Sequence, residues 1–126
     1  MEHRLVTPFK RPPMTANDQR RAHYHTQAKA KKEVEEVVFW LAKRQGIKDL
    51  APSTVTVTWF APDKRTRDND SLGPFLKAAK DALVRAGVWP DDHCDWVTED
   101  RLAVKLDRTN PRIEILIEEV TEYDRV

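Results

Sequence analysis

Residues 54–92 read TVTVTWFAPDKRTRDNDSLGPFLKAAKDALVRAGVWPDD and contain the elements that decide the fold. The first seven residues alternate, with Val55, Val57 and Trp59 on one side and threonines on the other. This two-residue period, in β-branched and aromatic residues, predicts a half-buried strand over residues 54–60. The polar segment that follows is too hydrophilic to continue a buried strand, so we expect the chain to leave the sheet there.

A helical period replaces the alternation near residue 71. Asp70 or Ser71 is the predicted N-cap, Pro74 is tolerated in the first turn, and Gly87 is the predicted C-terminal stop. The apolar residues then recur three and four positions apart, as on one face of a helix. They are Leu72, Phe75, Leu76, Ala79, Leu83 and Ala86.

The flanking sequence supplies one more helix and several strands. A second apolar stripe predicts a helix over residues 27–45, capped by Thr26 and ended by Gly46. Residues 10–25 are polar and contain a Pro-Pro pair, so we expect an exposed loop. Strands are predicted over 4–9, 96–98, 102–106 and 112–120. The order predicts one α+β domain over residues 1–126, with two helices on one face of a small mixed or antiparallel sheet.

Composition limits the possible classes of function. The 126 residues are 40% hydrophobic and 34% charged, and no apolar run is long enough to span a bilayer. The N-terminus does not resemble a secretory signal, and the single cysteine, Cys94, excludes an internal disulfide and favours a reducing compartment. The four tryptophans, Trp40, Trp59, Trp89 and Trp96, are mainly core candidates.

The distribution of charge is uneven although the net charge is only +1. Residues 1–32 contain eight Lys and Arg residues against two acidic residues. A basic segment on a nearly neutral chain indicates a polyanionic partner, with a charge-balanced solvated surface as the alternative. Basic side chains that we expect to bind a nucleic-acid backbone are Lys10, Arg11, Arg20, Arg21, Lys64, Arg65 and Arg67.

Two pairs of carboxylates are candidates for chemistry, one after the central strand and one after the helix that follows it. Asp68 and Asp70 are two residues apart, so on an extended backbone they project to the same side and repel each other. Mg²⁺ or Mn²⁺ would relieve that repulsion, whereas ordinary turn chemistry is the alternative. Asp91 and Asp92 follow the other end of the helix, and either one joins the first pair only if the chain folds back after Gly87 or a second subunit provides it.

Lys77 is the candidate cationic residue of the helix. By helical spacing it shares a face with Asp70 and Asp81, and lysine side chains lean toward the N-terminus, so it can approach a phosphate held near Asp70. The alternative is an ordinary surface ion pair between Lys77 and Asp81. Arginines beside metal-binding acids suit a phosphodiester substrate.

The ordered set of residues in 61–92 resembles the RusA-like Holliday-junction resolvases. The shared pattern is a strand, a basic run, two acids in R-D-x-D, a helix with a lysine, an Ala-Gly pair and a final Asp-Asp. The early Pro12, Pro13 and Asn17 also fit. Ser71 stands where the family has Asn, and about three extra residues separate Asp70 from Lys77.

The resemblance implies a homodimeric, phage- or prophage-encoded endodeoxyribonuclease of the bacterial cytoplasm. It implies cleavage of four-way junctions in branched DNA during recombination and repair, with Mg²⁺ or Mn²⁺ as cofactor. Asp68, Asp70 and Asp92 match the catalytic metal-binding acids, with Asp91 as the alternative to Asp92. Lys77 matches the catalytic lysine, and Arg67 matches a residue that engages DNA. A non-catalytic DNA-binding module with the same fold and a protein–protein adaptor are the competing hypotheses.

Overall fold

The computed structural model of the protein describes residues 1–15 and 24–120. These residues form two α-helices, four strands and one short 3₁₀ turn, which lies directly before the second helix. In chain order these elements are β1 (Glu2–Val6), α1 (Tyr24–Gln45), β2 (Ser53–Ala61), the 3₁₀ turn (Asn69–Leu72), α2 (Gly73–Arg85), β3 (Val97–Leu106) and β4 (Arg112–Glu119).

The four strands form one mixed sheet in the order β1-β4-β2-β3. Strand β4 pairs antiparallel with both β1 and β2, and β2 pairs in parallel with β3. The parallel pair needs a crossover connection, which the 3₁₀ turn and α2 provide. The predicted α+β class, with two helices lying against a small mixed sheet, is confirmed.

The core lies between the helices and the apolar face of the sheet. Alternate residues of β2 and β4 are fully buried, as the two-residue period predicts, and Val57 lies opposite Ile115 in the register. Val34 and Val38 of α1 and Phe75 of α2 belong to the same buried cluster. The helices also pack on each other. Burial of these side chains is the main favourable term in folding.

Both predicted glycine stops are confirmed. Gly46 and Gly87 have φ angles of 69° and 88°, in the left-handed region where a side chain would be strained. The amide of Ile47 reaches back to the Ala42 carbonyl at 3.0 Å, and the amide of Val88 reaches back to the Leu83 carbonyl at 3.0 Å. These bonds satisfy carbonyls that the last helical turns leave open.

The starts of the helices differ from the predictions. Helix α1 begins at Tyr24, so Thr26 lies within its first turn and does not cap it. Helix α2 begins at Gly73, because a 3₁₀ turn forms first, and neither Asp70 nor Ser71 is its N-cap. Such turns are frequent at helix ends and shift the boundary that a pattern predicts.

The predicted interruption of the third strand is wrong. Residues 97–106 form one continuous strand, although Thr98, Glu99, Asp100 and Arg101 break the apolar pattern. Among the described strands, β3 lies at the edge of the sheet and pairs only with β2, and charged side chains are normal on an edge. At the opposite edge β1 runs from Glu2 to Val6 and ends before Pro8, which has no amide to donate.

Two expectations about burial also need correction. Trp40 is 64% exposed, because it lies away from the buried stripe of α1, whereas Trp59 and Trp89 are buried as predicted. In the predicted exposed loop, Met14 is buried in the core cluster and Pro12 is also buried. Within the described ranges, no helix combines the length and the apolar character needed to cross a membrane.

Candidate functional site

A basic cleft opens where β2 ends. Its volume is about 710 Å³, and among the described residues its lining contains four cationic side chains and one carboxylate. These lining residues come from three parts of the described chain: Lys10, Arg11, Trp59, Pro62, Asp63, Arg65, Thr66, Arg67 and Pro111. The positive charge is therefore concentrated by the fold, since the chain as a whole is close to neutral.

The segment after β1 forms one wall of the cleft and is fastened to the core. The indole Nε1 of Trp59 donates a hydrogen bond of 3.0 Å to the carbonyl of Lys10. Phe9 meets the ring of Phe75 in α2 edge to face, with centroids 5.8 Å apart. Met14 is buried beyond them. These contacts hold Lys10 and Arg11 opposite the loop that follows β2.

Arg67 organises the loop that forms the other wall. Its guanidinium lies 4.6 Å from the centre of the Trp59 ring, a cation–π contact. It also forms an ion pair of 2.9 Å with Asp63 and donates to the Asp63 carbonyl at 3.0 Å. The Arg67 side chain is only 16% exposed. It is therefore packed into the wall of the cleft and does not extend freely into solvent.

The carboxylate of Asp63 contacts both Arg65 and Arg67 of this loop. The Arg65 amide donates a 3.0 Å hydrogen bond to its carboxylate, and that bond is the largest cause that lowers the pKa of Asp63, with the Arg67 guanidinium adding to it. The Arg65 guanidinium lies 3.6 Å from the same carboxylate, and its side chain is highly exposed. Arg65 can therefore turn toward a ligand without loss of a buried contact.

In the chain, Asp68 and Asp70 come directly after Arg67, which lines the cleft. Both are exposed, and within residues 1–15 and 24–120 neither carboxylate takes part in a hydrogen bond or an ion pair. Asp68 has extended backbone with φ −88° and ψ 132°, but Asp70 lies in the 3₁₀ turn. The expectation that both lie on one extended segment is therefore wrong. The 3₁₀ turn also breaks the helical spacing that placed Asp70 on the face of Lys77.

An ion pair with Lys77 holds Asp92 against helix α2. The ammonium of Lys77 is 2.9 Å from a carboxylate oxygen of Asp92 and 3.0 Å from one of Asp81. The chain after Gly87 therefore folds back along the helix, as a joint site requires. The hydrogen bond from Lys77 is the largest cause that lowers the pKa of Asp92, and the same bond is the largest cause that raises the pKa of Lys77.

Asp91 differs from its neighbour in its surroundings. It is exposed, and its carboxylate accepts a hydrogen bond of 2.7 Å from the Asp92 amide. This contact stabilises the turn in which both residues lie. Of the two alternatives for a third acidic residue, Asp92 is the one that faces the helix.

The carboxylates do not form an assembled metal site in this arrangement. In the part of the chain that the structure describes, no three His, Cys, Asp or Glu side chains are placed together to hold a metal ion. Asp68 and Asp70 are open to solvent, whereas Asp92 already has Lys77 as its cation. The residues present therefore do not fit a preformed three-carboxylate centre, and the metal stays a prediction.

The structure brings together part of the predicted DNA-binding set. Lys10, Arg11, Arg65 and Arg67 share the cleft, and Lys64 is exposed on the same loop. Arg20, Arg21 and Asn17 lie outside the described residues. Asp63 was not among the predicted site residues, although its spacing of four residues from Arg67 signals an ion pair. Trp59 was predicted only as a core residue, but it also lines the cleft.

A second concavity of about 410 Å³ lies beside β1 and α1. Its lining is largely apolar and includes the exposed Trp40. The described residues that line it are Val6, Thr7, Pro8, Val37, Trp40, Leu41 and Arg44. They share no residue with the described lining of the basic cleft.

Comparison with models of known protein families and with curated proteins finds no match to this chain. The resemblance in residues 61–92 therefore stays a prediction.

Proposed function

We propose that this protein is a structure-specific endodeoxyribonuclease that resolves four-way junctions in branched DNA. The observation that supports the proposal best is the basic cleft, whose lining includes Arg67, the residue directly before Asp68 in the chain. Its described cationic residues suit the phosphates of a DNA backbone, and the exposed Asp68 and Asp70 follow them in the sequence. Mg²⁺ or Mn²⁺ is the proposed cofactor.

The residues of the chain have separate roles in this proposal. Arg65 and Lys10 bind backbone phosphates, because the first is highly exposed and the second lines the opposite wall. Arg67 shapes the loop and lines the cleft. Asp68, Asp70, Asp92 and Lys77 are the proposed catalytic residues. Contacts of this kind recognise backbone shape and charge and give no base sequence preference.

Paired nicks require two catalytic centres. We therefore include a homodimer in the proposal, with the two centres related by a two-fold axis that matches the approximate two-fold symmetry of a junction. Sedimentation velocity of the protein at several concentrations, with and without junction DNA, measures the oligomeric state. A monomer in both conditions contradicts this part of the proposal.

Cleavage is tested with a labelled synthetic four-way junction and a linear duplex, in Mg²⁺, in Mn²⁺ and with chelator. We expect symmetric metal-dependent nicks on the junction, and we expect Asp70→Asn to abolish them while it preserves binding. Asp49→Asn is the matched control, because Asp49 is exposed in the turn after α1 and its φ of 52° suits asparagine. Cleavage by Asp70→Asn at the wild-type rate contradicts the role of Asp70.

A non-catalytic branched-DNA-binding module is the second candidate. The observation that favours it is the ion pair of Asp92 with Lys77, which leaves only two of the three expected acids open. This function predicts salt-sensitive junction binding but no cleavage under any metal condition. Asp70→Asn would then leave binding unchanged, or strengthen it by removal of a charge that repels phosphate.

A further inference from the structure

Among the described residues, neither helix covers one face of the sheet. Both helices contribute to the buried cluster on the side of Val57 and Ile115. Alternate residues of a strand point to the other side, and there Thr56, Thr58 and Phe60 of β2 are partly exposed. We call this side the open face. Because β2 and β3 run parallel, and parallel strands are usually covered on both sides, the open face is a candidate surface for a second layer.

The charges of the open face are separated along the strands. Partners in the register lie side by side, so the residues form rows across the sheet. The row where β2 begins contains three carboxylates, and its members are Glu2, Glu118, Thr54 and Glu99. The row where β2 ends contains two cations, and its members are Arg112, Phe60 and Lys105. One end of the open face is therefore acidic and the other end basic.

Between these two rows the open face is nearly flat in charge. The Glu114 side chain is only 8% exposed and forms ion pairs of 2.6 Å with both Arg4 and Arg112. Leu116 of β4 and Ala103 of β3 add apolar surface that is partly exposed. The middle of the open face can thus be covered without the burial of an unpaired charge, which is the costly event in such contacts.

We propose that the open face is the surface on which a second copy of this chain docks. A two-fold axis that runs across the strands, between two stacked sheets, brings the acidic row of each copy over the basic row of the other. Each strand then lies over the same strand of the second copy in the opposite direction. Glu99 of β3 therefore meets Lys105 of the second copy, and Lys105 meets Glu99.

The pattern of charge selects this axis among the two-fold arrangements of stacked sheets. An axis parallel to the strands would place acidic row on acidic row and basic row on basic row, and like charges that face each other oppose association. The inference rests on the homodimer of the proposed function and names its interface, but it does not depend on DNA cleavage.

Glu99 and Lys105 allow a test by exchange of charges. Both are exposed, and they are six residues apart on one strand, so about 20 Å separates them at roughly 3.3 Å per residue. They cannot contact each other within one copy. Glu99→Lys or Lys105→Glu alone places like charges across the proposed interface, whereas the double variant restores opposite charges. A recovery in the double variant therefore has to come from contact between copies.

The experiment is sedimentation velocity over a range of protein concentrations, without DNA. We expect a dimer for the wild type and a dissociation constant that is raised about tenfold or more in Glu99→Lys and in Lys105→Glu. The double variant should return close to the wild-type value. Thr56→Lys, which places a charge in the middle of the open face, should give a monomer. Circular dichroism verifies that each variant is folded.

Glu36→Lys is the matched control, because it reverses the same charge on the exposed side of α1, away from the sheet. Its dissociation constant should equal that of the wild type. Equal effects of Glu36→Lys and Glu99→Lys would overturn the inference, as would a double variant that associates no better than the single variants.

Two further outcomes separate the interface from the proposed function. A wild-type dimer whose dissociation constant changes in none of the open-face variants would overturn the inference and leave the homodimer in place. A wild-type monomer at every concentration would overturn both the interface and the homodimer. Cleavage is decided independently, by the junction assay with Asp70→Asn.

Discussion

The guanidinium of Arg67 lies 4.6 Å from the ring centre of Trp59, and its ion pair with Asp63 holds it there. A residue that the sequence presents as a free DNA contact is thus also a structural part of the cleft. The planar guanidinium stacks and donates in a fixed fork, which an ammonium cannot reproduce. The loop between β2 and the 3₁₀ turn depends on this side chain for its shape.

Arg67→Lys should therefore destabilise the protein although it conserves the charge. We expect a loss of about 0.5 to 2 kcal/mol, the range of a cation–π contact that is partly shielded from water. Urea unfolding followed by fluorescence measures the change. Arg65→Lys is the control, because the Arg65 side chain is 82% exposed and has no cation–π contact with a ring of the described residues. Equal losses in both variants would contradict the role given to Arg67.

Arg65→Ala should weaken DNA binding without a preference for sequence. Removal of one phosphate contact lowers the slope of log affinity against log salt by about 1, and we expect roughly a fivefold loss of affinity, which is about 1 kcal/mol. Anisotropy titrations of labelled junction DNA at several salt concentrations measure both quantities. Arg85→Ala removes the same charge from the end of α2, outside the cleft, and should change neither.

Acid should destabilise the protein through Asp107. Hydrogen bonds, the largest from Arg112 and the next from Thr109, lower the pKa of Asp107 from 3.8 to about 2. Since the folded-state pKa lies below that of the unfolded chain, the stabilisation is fully present above pH 4 or so and is lost as pH falls toward about 2. Asp107→Asn should flatten the dependence of unfolding free energy on pH in that window.

The control for Asp107→Asn is Asp49→Asn, which removes a carboxylate without an ion pair in the described part of the chain. Its pH dependence should match that of the wild type. Unfolding in urea at a series of pH values between 2 and 6 compares the two variants, and an unchanged slope in Asp107→Asn would contradict the prediction.

The exposed Trp40 and the buried Trp89 should respond differently to substitution. Trp40 is 64% exposed and Trp89 only 2%. Trp40→Gln should change the unfolding free energy by less than about 0.5 kcal/mol, whereas Trp89→Ala should cost about 3 to 5 kcal/mol through the cavity that it leaves. Denaturant unfolding measures both. A large loss in Trp40→Gln would show that the groove beside β1 stabilises the fold.

Local patterns predicted the regular elements well. The alternation in residues 54–60 matches β2, and the glycines at 46 and 87 end the helices in the left-handed conformation that was expected. Two predictions failed because another local feature was stronger than the pattern that they were based on. A 3₁₀ turn precedes Gly73, and the edge position of β3 tolerates charges that looked like a break.

The arrangement of the site was less predictable, because it depends on contacts between distant residues. Asp92 meets Lys77 across 15 positions, after a turn whose direction no residue pattern specifies. The cleft joins Lys10 and Arg11 to a loop that begins at Pro62, and the link between them is an indole hydrogen bond to a backbone carbonyl. Sequence identified the charged residues but not which of them already have partners.

The order of the strands affects how the protein can be made in the cell. Strand β4 follows all other strands in the chain, yet it lies between β1 and β2 and pairs with both along their lengths. While the ribosome is still adding residues before Arg112, β1 has no partner strand among the described residues, and the sheet has a gap at its centre. Folding during synthesis therefore cannot be completed segment by segment, and the pairing of distant strands makes the final step slow. Until then, the nascent chain exposes apolar strands that chaperones can bind.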